Sequence, residues 1–123
     1  MGFRLRVGKT IDAEVAFELR EEGDAYSLHK VALTLKRLDA EQFEQLMQRA
    51  KDGALDDDQL LAELTVGWRQ ALVLDDNDQP AAYSPEALTC LLGLLGLRRL
   101  LAEKAIAAQL DAVRTAAADK QGN

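Results

Sequence analysis

The chain has 123 residues and a formal net charge of −6, with hydrophobic residues at 48% and charged residues at 29%. This acidic balance lacks the basic footprint of a nucleic-acid binder, and one cysteine, Cys90, excludes an internal disulfide and a multi-cysteine zinc site. We expect one domain over residues 1–116, with a β-rich part at 1–37, a helical part at 38–116 and a disordered tail at 117–123.

The sequence also lacks the marks of an exported or membrane-bound protein. No apolar run typical of a signal peptide begins it, and Arg98 and Arg99 interrupt the leucine-rich stretch at 91–101. That stretch falls well short of the roughly 18 apolar residues that a membrane span needs. We therefore expect a cytoplasmic protein with no membrane partner and no nucleic-acid partner.

Three segments near the start alternate apolar and polar residues, a period typical of strands with one buried face. Their apolar positions are Phe3, Leu5 and Val7, then Val15, Phe17 and Leu19, then Val31, Leu33 and Leu35. The acidic, glycine-containing connection at 21–25 predicts a hairpin between the second and third segments. The first part of the chain is therefore expected to form a small antiparallel β-sheet of about three strands.

After Asp39 the apolar period becomes helical, and about four α-helices are expected, giving an α+β fold. Asp39 and Asp56 are predicted caps of the first two helices, and Ser84 with Pro85 begins the third. The second helix is expected to bury Leu61, Leu64, Thr65, Trp68 and Leu72, and the third to bury Leu88, Leu91, Leu92 and Leu95. The last helix is expected over residues 97–113.

An acidic stretch at 75–86, DDNDQPAAYSPE, has oxygen-bearing side chains at calcium-loop spacing. Such a loop needs glycine at its sixth position for a sharp turn, and this chain has Pro80 there, which cannot adopt a positive φ. We therefore expect no metal site, and interpret the stretch as an acidic turn that leads into the helix begun by Ser84.

Candidate catalytic groups are sparse. The single histidine, His29, is predicted on the inward face of a strand, and Cys90 lies in a leucine-rich helix without a cationic neighbour in sequence to activate it. Carboxylate pairs such as Glu21 and Glu22 lie in loops or at helix starts, where charge is normally solvated. The sequence therefore predicts a protein that is not an enzyme and has no catalytic residue, metal or cofactor.

Four motifs follow one another within residues 31–112: KRLD before the first helix, DGALDDDQLL before the second, VGW near its end and SPEAL at the third. In this order they resemble the small tail assembly chaperones of long-tailed (siphovirus-like) phages and prophages. The resemblance implies a non-enzymatic protein of the bacterial host cytoplasm. It would bind the long helical tape measure protein and keep it soluble while the tail tube protein polymerises around it.

A chaperone of this kind has to cover apolar helix surface on its client, and the last helices carry more apolar positions than one buried face requires. The residues that we assign to the partner surface are Leu94, Leu97, Leu101, Ala105, Ile106 and Leu110. The alternative is that the same residues close the core or a homo-oligomer, which we also expect the chain to form. Trp68 is expected in the core.

Two other functions stay open. One is a structural tail or head-tail connector component of similar composition, and its retention in purified virions would favour it. The other is a small acidic inhibitor or regulator that captures a basic partner through carboxylates, which predicts salt-sensitive binding.

Overall fold

The computed structural model describes residues 2–116, which form an α+β fold with a three-stranded antiparallel sheet and four helices. The elements, in chain order, are β1 (Thr10–Arg20), β2 (Tyr26–Lys36), α1 (Ala40–Lys51), α2 (Asp57–Leu64), β3 (Thr65–Gln70), α3 (Pro85–Leu92) and α4 (Leu97–Leu110). The tail predicted at 117–123 lies outside the described residues.

A long hairpin of β1 and β2 forms most of the sheet, whose strand order is β1-β2-β3. The register pairs Ala13 with Leu33 and Val15 with Val31, so the alternating apolar side chains of both strands share one face. A short 3-10 turn, Glu22–Asp24, closes the hairpin. The predicted hairpin is therefore confirmed.

The first predicted strand is wrong. Residues 2–9 lie outside all helices and strands, and Phe3, Leu5 and Val7 are 103%, 79% and 56% exposed. The hydrogen-bond ladder extends beyond β1 only as far as Lys9, whose carbonyl accepts a bond from the Arg37 amide at 2.8 Å. The alternating pattern of this segment suits a strand, but a strand also needs a partner edge, and none pairs with it among residues 2–116.

The third strand comes from the segment that was predicted to end the second helix. Helix α2 stops at Leu64, and β3 then pairs antiparallel with β2, with Trp68 opposite Leu33. Two β-branched residues, Thr65 and Val66, followed by Gly67 disfavour a helix here. The helical stripe through Trp68 and Leu72 is therefore wrong, and the part of the chain expected to be helical, 38–116, contains a strand.

The predicted helix starts are confirmed. The carboxylates of Asp39 and Asp56 accept bonds from the amides of Gln42 and Gln59 at 2.7 and 2.8 Å. Both glutamine side chains return a bond to the aspartate amide, which completes two capping boxes. Ser84 caps α3 through its hydroxyl. Each cap satisfies backbone donors that helices leave unpaired, so these boundaries are defined by local sequence.

The core is aliphatic and lies between the sheet and the helices. Its largest fully buried side chains are Leu33, Leu35, Leu61, Leu64, Leu101 and Val31. Helix α4 packs against both β1 and α2. Near its end, the Gln109 side chain accepts a bond from the Leu38 amide at 3.1 Å and donates one to the Lys36 carbonyl at 2.7 Å. These two bonds tie the end of α4 to the end of β2.

Candidate partner-binding surface

The six residues that were assigned to a partner surface do not lie together. Three of them are in the core with 3% exposure or less: Leu97, Leu101 and Ala105. Leu94 and Ile106 are half-buried and pack against the core, whereas Leu110 is 65% exposed at the end of α4. The assignment of the three core residues is corrected, because α4 buries that face against β1 and α2.

A different apolar surface lies at the corner between α3 and α4. Leu95 is 99% exposed in the connection, and Leu100, within the first turns of α4, is 42% exposed. Half-buried Leu94 lies between the core and this exposed pair. These leucines line a groove of about 180 Å³ together with residues of β1. Leu97 also lines the groove, although it is buried. We call the other apolar residues of this groove the corner surface: Phe17, Leu19, Leu94, Leu95 and Leu100.

The tightness of the connection explains why Leu95 is exposed. Helix α3 ends at Leu92 and α4 begins at Leu97, so four residues reverse the chain. Gly96 has a φ of 92°, a backbone conformation that L side chains rarely adopt. The Leu97 amide bonds back to the Leu94 carbonyl at 3.1 Å, which leaves Leu95 at the tip of the turn. Its predicted place in the buried stripe of the third helix is therefore wrong.

Charged side chains border the corner surface. Glu18 lines the groove beside Phe17 and Leu19. Arg99 and Glu103 form an exposed ion pair on α4 at 3.4 Å. An apolar groove with a charged rim is the arrangement found where proteins bind apolar partners from water.

A second cleft, of about 490 Å³, lies between α2 and α3, but the fold engages most of its polar groups. Arg98 pairs with Asp58 at 3.3 Å and donates to a carbonyl at the end of α3 at 3.2 Å. The Tyr83 hydroxyl donates to the Thr65 carbonyl at 3.1 Å, and burial, assisted by the charge of Glu86, raises the pKa of that hydroxyl. These contacts hold α2, α3 and β3 together, so the corner surface is the better candidate for a partner.

Trp68 lies on β3 beside this cleft and packs against the core as a half-buried side chain. Its indole N–H donates to the Ala81 carbonyl at 3.0 Å, and its ring meets that of Tyr83 edge to face, with centroids 5.2 Å apart. Both contacts fix the segment that follows β3. The residue therefore joins elements of the fold, as its expected place in the core implies.

The candidate catalytic residue His29 lies beside Ser27 on β2. Ser27 donates its hydroxyl proton to Glu21 at 2.6 Å, and its oxygen lies 2.8 Å from His29 Nε2. With the single hydroxyl proton directed to the carboxylate, the imidazole N–H is the donor in the second contact. Cys90 is exposed on α3 rather than packed among the leucines.

The acidic turn orders itself through its first carboxylate. Asp75 Oδ1 accepts bonds from the backbone amides of Asn77 at 2.8 Å and Gln79 at 3.1 Å. Asp78 has a φ of 59°, which aspartate tolerates better than most residues. Among residues 2–116 there is no cluster of three or more His, Cys, Asp or Glu side chains able to hold a metal ion.

The described helices include none that is long and apolar enough to span a membrane. No family model, curated protein or solved structure matches this chain. Apart from Leu94, the corner surface was missed by sequence reasoning because its members come from β1, the α3–α4 connection and α4. One signal could have indicated it: GLLG at 93–96 places Leu95 in a turn with little room to bury a leucine.

Proposed function

We propose that this chain is a non-enzymatic tail assembly chaperone that binds a phage tape measure protein and keeps it soluble during tail tube polymerisation in the host cytoplasm. The observation that supports this most is the corner surface, where Leu95 is 99% exposed beside an apolar groove. Flexible aliphatic side chains around a groove suit the apolar stripe of a client helix. The client's identity comes from the four sequence motifs.

Those motifs serve the architecture rather than the contact with a client. KRLD ends in Asp39, which caps α1, and DGALDDDQLL contains Asp56, which caps α2. VGW lies in β3, and SPEAL begins with Ser84, the cap of α3. The motifs therefore support a similarity in fold to tail assembly chaperones. The corner surface is a separate argument for client binding.

The pairing of the carboxylates speaks against the alternative of an acidic nucleic-acid mimic. Such a mimic presents unpaired negative charge to a basic partner. On the outer face of the sheet, Arg69 lies 3.6 Å from Asp12 and 2.9 Å from Glu14. Arg49 pairs with Glu63 at 2.7 Å on the helical side. These three carboxylates are thus already paired within the chain.

Co-expression with the tape measure protein encoded beside it tests the proposal. We expect the wild-type chain to raise the soluble fraction of the client and to co-purify with it. Replacing Leu95 and Leu100 together by serine removes two of the most exposed leucines of the groove, and we expect a loss of about tenfold or more in recovered complex. The double variant should fold normally, because neither side chain belongs to the buried core.

Leu110→Ser is the matched control, since Leu110 is 65% exposed but lies at the other end of α4. This variant should retain the client. A client that stays insoluble with the wild-type chain, or that is recovered equally with all three proteins, would contradict the proposal. Finding the chain at stoichiometric levels in purified virions would favour the structural alternative instead.

A further inference from the structure

Residues 2–9 have the pattern of a strand, but they pair with no strand among residues 2–116. We call residues 2–9 the arm. Phe3, Leu5 and Val7 are exposed and alternate with Arg4 and Arg6, so an extended arm has one apolar side and one basic side. Exposure of three large apolar side chains at alternate positions, at 103%, 79% and 56%, is unfavourable in water unless a partner covers them.

The edge of β1 is a site where such a strand could add. It is an outer strand of the sheet, with β2 on one side only. Natural edge strands are commonly protected by lysine or proline, but the sequence of β1, TIDAEVAFELR, has neither. The strand is also long, at 11 residues, and its pairing with β2 is regular throughout. It therefore offers an extended row of backbone groups to a further strand.

The two sides of this edge complement the two sides of the arm. The inward side chains of β1 near its middle, Val15 and Phe17, are apolar and only half-buried. Its outward side chains include Glu18 as well as Asp12 and Glu14, which already contact Arg69 and Lys30. Within residues 2–116, no cation lies in salt-bridge range of Glu18. A strand with alternating apolar and arginine side chains thus matches both faces at once.

The arm of the same molecule is directed away from this edge. The backbone amide of Arg37 donates a hydrogen bond to the Lys9 carbonyl, and the Nε–H of Arg37 donates one to the Gly8 carbonyl, both at 2.8 Å. These bonds hold the root of the arm against the end of β2, and the arm continues past Leu38 and Gln42 at the start of α1. To reach its own β1 edge, the arm would have to break both bonds and reverse. A second copy can meet the edge without this rearrangement.

We propose that the arm of one copy adds as an extra strand to the free edge of β1 in a second copy of this chain. The apolar side of the arm covers Val15 and Phe17, and Arg4 and Arg6 lie beside the acidic outer side. Each copy contributes one arm and accepts another, so the contact closes a dimer or continues as a chain of subunits. Phe17 also belongs to the corner surface, but this self-association is argued from the arm and the edge of β1 and does not depend on the proposed chaperone function.

Light scattering coupled to size-exclusion chromatography tests the proposal with the full chain, from about 10 to about 200 μM. We expect the wild type to exceed monomer mass with rising concentration. Arg4→Glu with Arg6→Glu places acid against acid, and Glu18→Lys places base against base. Each variant should associate more weakly than the wild type, with a dissociation constant about tenfold higher or more. Glu44→Lys, an exposed charge reversal on α1, should associate like the wild type.

Mixing separates a lost contact from a folding defect. The Glu18→Lys variant has an intact arm, and the arm variant has an intact edge, so an equal mixture should regain association while each protein alone stays monomeric. Circular dichroism confirms that both are folded. A monomeric wild type at about 200 μM, unchanged association after removal of residues 2–8, or a mixture that remains monomeric would overturn the proposal.

Discussion

Two sets of leucines, only a few residues apart, have opposite surroundings. Leu97 and Leu101 are 3% and 2% exposed, whereas Leu95 and Leu100 are 99% and 42% exposed. Residue type does not distinguish them. The difference lies in what faces each set: β1 and α2 cover the inward side of α4, and nothing among the described residues covers the tip of the α3–α4 turn. An excess of apolar positions therefore indicates a surface for a partner without identifying its members.

The largest expected effect on stability comes from a substitution on the buried side of α4. Leu101→Ala removes a fully buried side chain and leaves a cavity, so we expect the free energy of unfolding to fall by about 2 to 5 kcal/mol. Leu100→Ala, one residue away, should cost less than about 1 kcal/mol because that side chain is partly exposed. Urea unfolding of both variants measures the difference. Equal losses would mean that α4 does not pack as described.

A smaller effect is expected where α4 is tied to the sheet by a polar side chain. Gln109→Ala removes two bonds, to the Leu38 amide and the Lys36 carbonyl, and should lower the free energy of unfolding by about 1 to 2 kcal/mol. Gln45→Ala on α1 is the control, since Gln45 is exposed and makes only a 3.4 Å contact with Glu41. Urea unfolding is again the measurement, and an unchanged Gln109→Ala protein would contradict this role.

The smallest effect is expected at an exposed contact with good geometry. Arg49 donates two hydrogen bonds to Glu63, at 2.9 and 2.7 Å, and these bonds hold the pKa of the Glu63 carboxyl below its usual value. A carboxyl with a lowered pKa in the folded state stabilises the fold above its unfolded pKa. That contribution disappears as pH falls through the lowered folded value. The pair is exposed and screened by solvent, so the effect is small.

Glu63→Gln should therefore slightly reduce the loss of stability as pH falls below neutral. Above neutral pH, the dependence of stability on pH should not change. Thermal unfolding between about pH 2 and pH 7 measures this slope. Glu44→Gln is the control, because it replaces an exposed carboxylate on α1. This variant should retain the wild-type dependence of stability on pH. Identical curves for wild type and Glu63→Gln would show that the Arg49–Glu63 pair does not contribute to stability.

Local signals in the sequence were enough to predict some elements. Asp39 and Asp56 define helix starts through bonds to residues three positions away, so their spacing alone carries the information. The β1–β2 hairpin is likewise specified by two alternating segments and a short acidic turn. These predictions succeeded because each interaction that forms the element lies within a short stretch of chain.

Other elements depend on partners that are distant in sequence. The arm and β3 illustrate this. Apolar and polar residues alternate regularly in the arm, yet it pairs with no strand among residues 2–116. They alternate less regularly in β3, yet it pairs with β2. Gly67 lies opposite Thr34 in that pairing, 33 positions away in the chain. The corner surface was missed for a related reason. Phe17 and Leu95 meet only through the packing of α4 on β1.

A helical client is proposed to bind the corner surface and to leave the buried side of α4 undisturbed. Leucine methyl NMR spectra during titration with a purified tape measure segment test it most directly. We expect the signals of Leu94, Leu95, Leu97 and Leu100 to shift or broaden, because all four leucines line the groove, while the signal of Leu101 stays in place. Unchanged spectra, or changes confined to Leu101, would show that the client does not bind this groove.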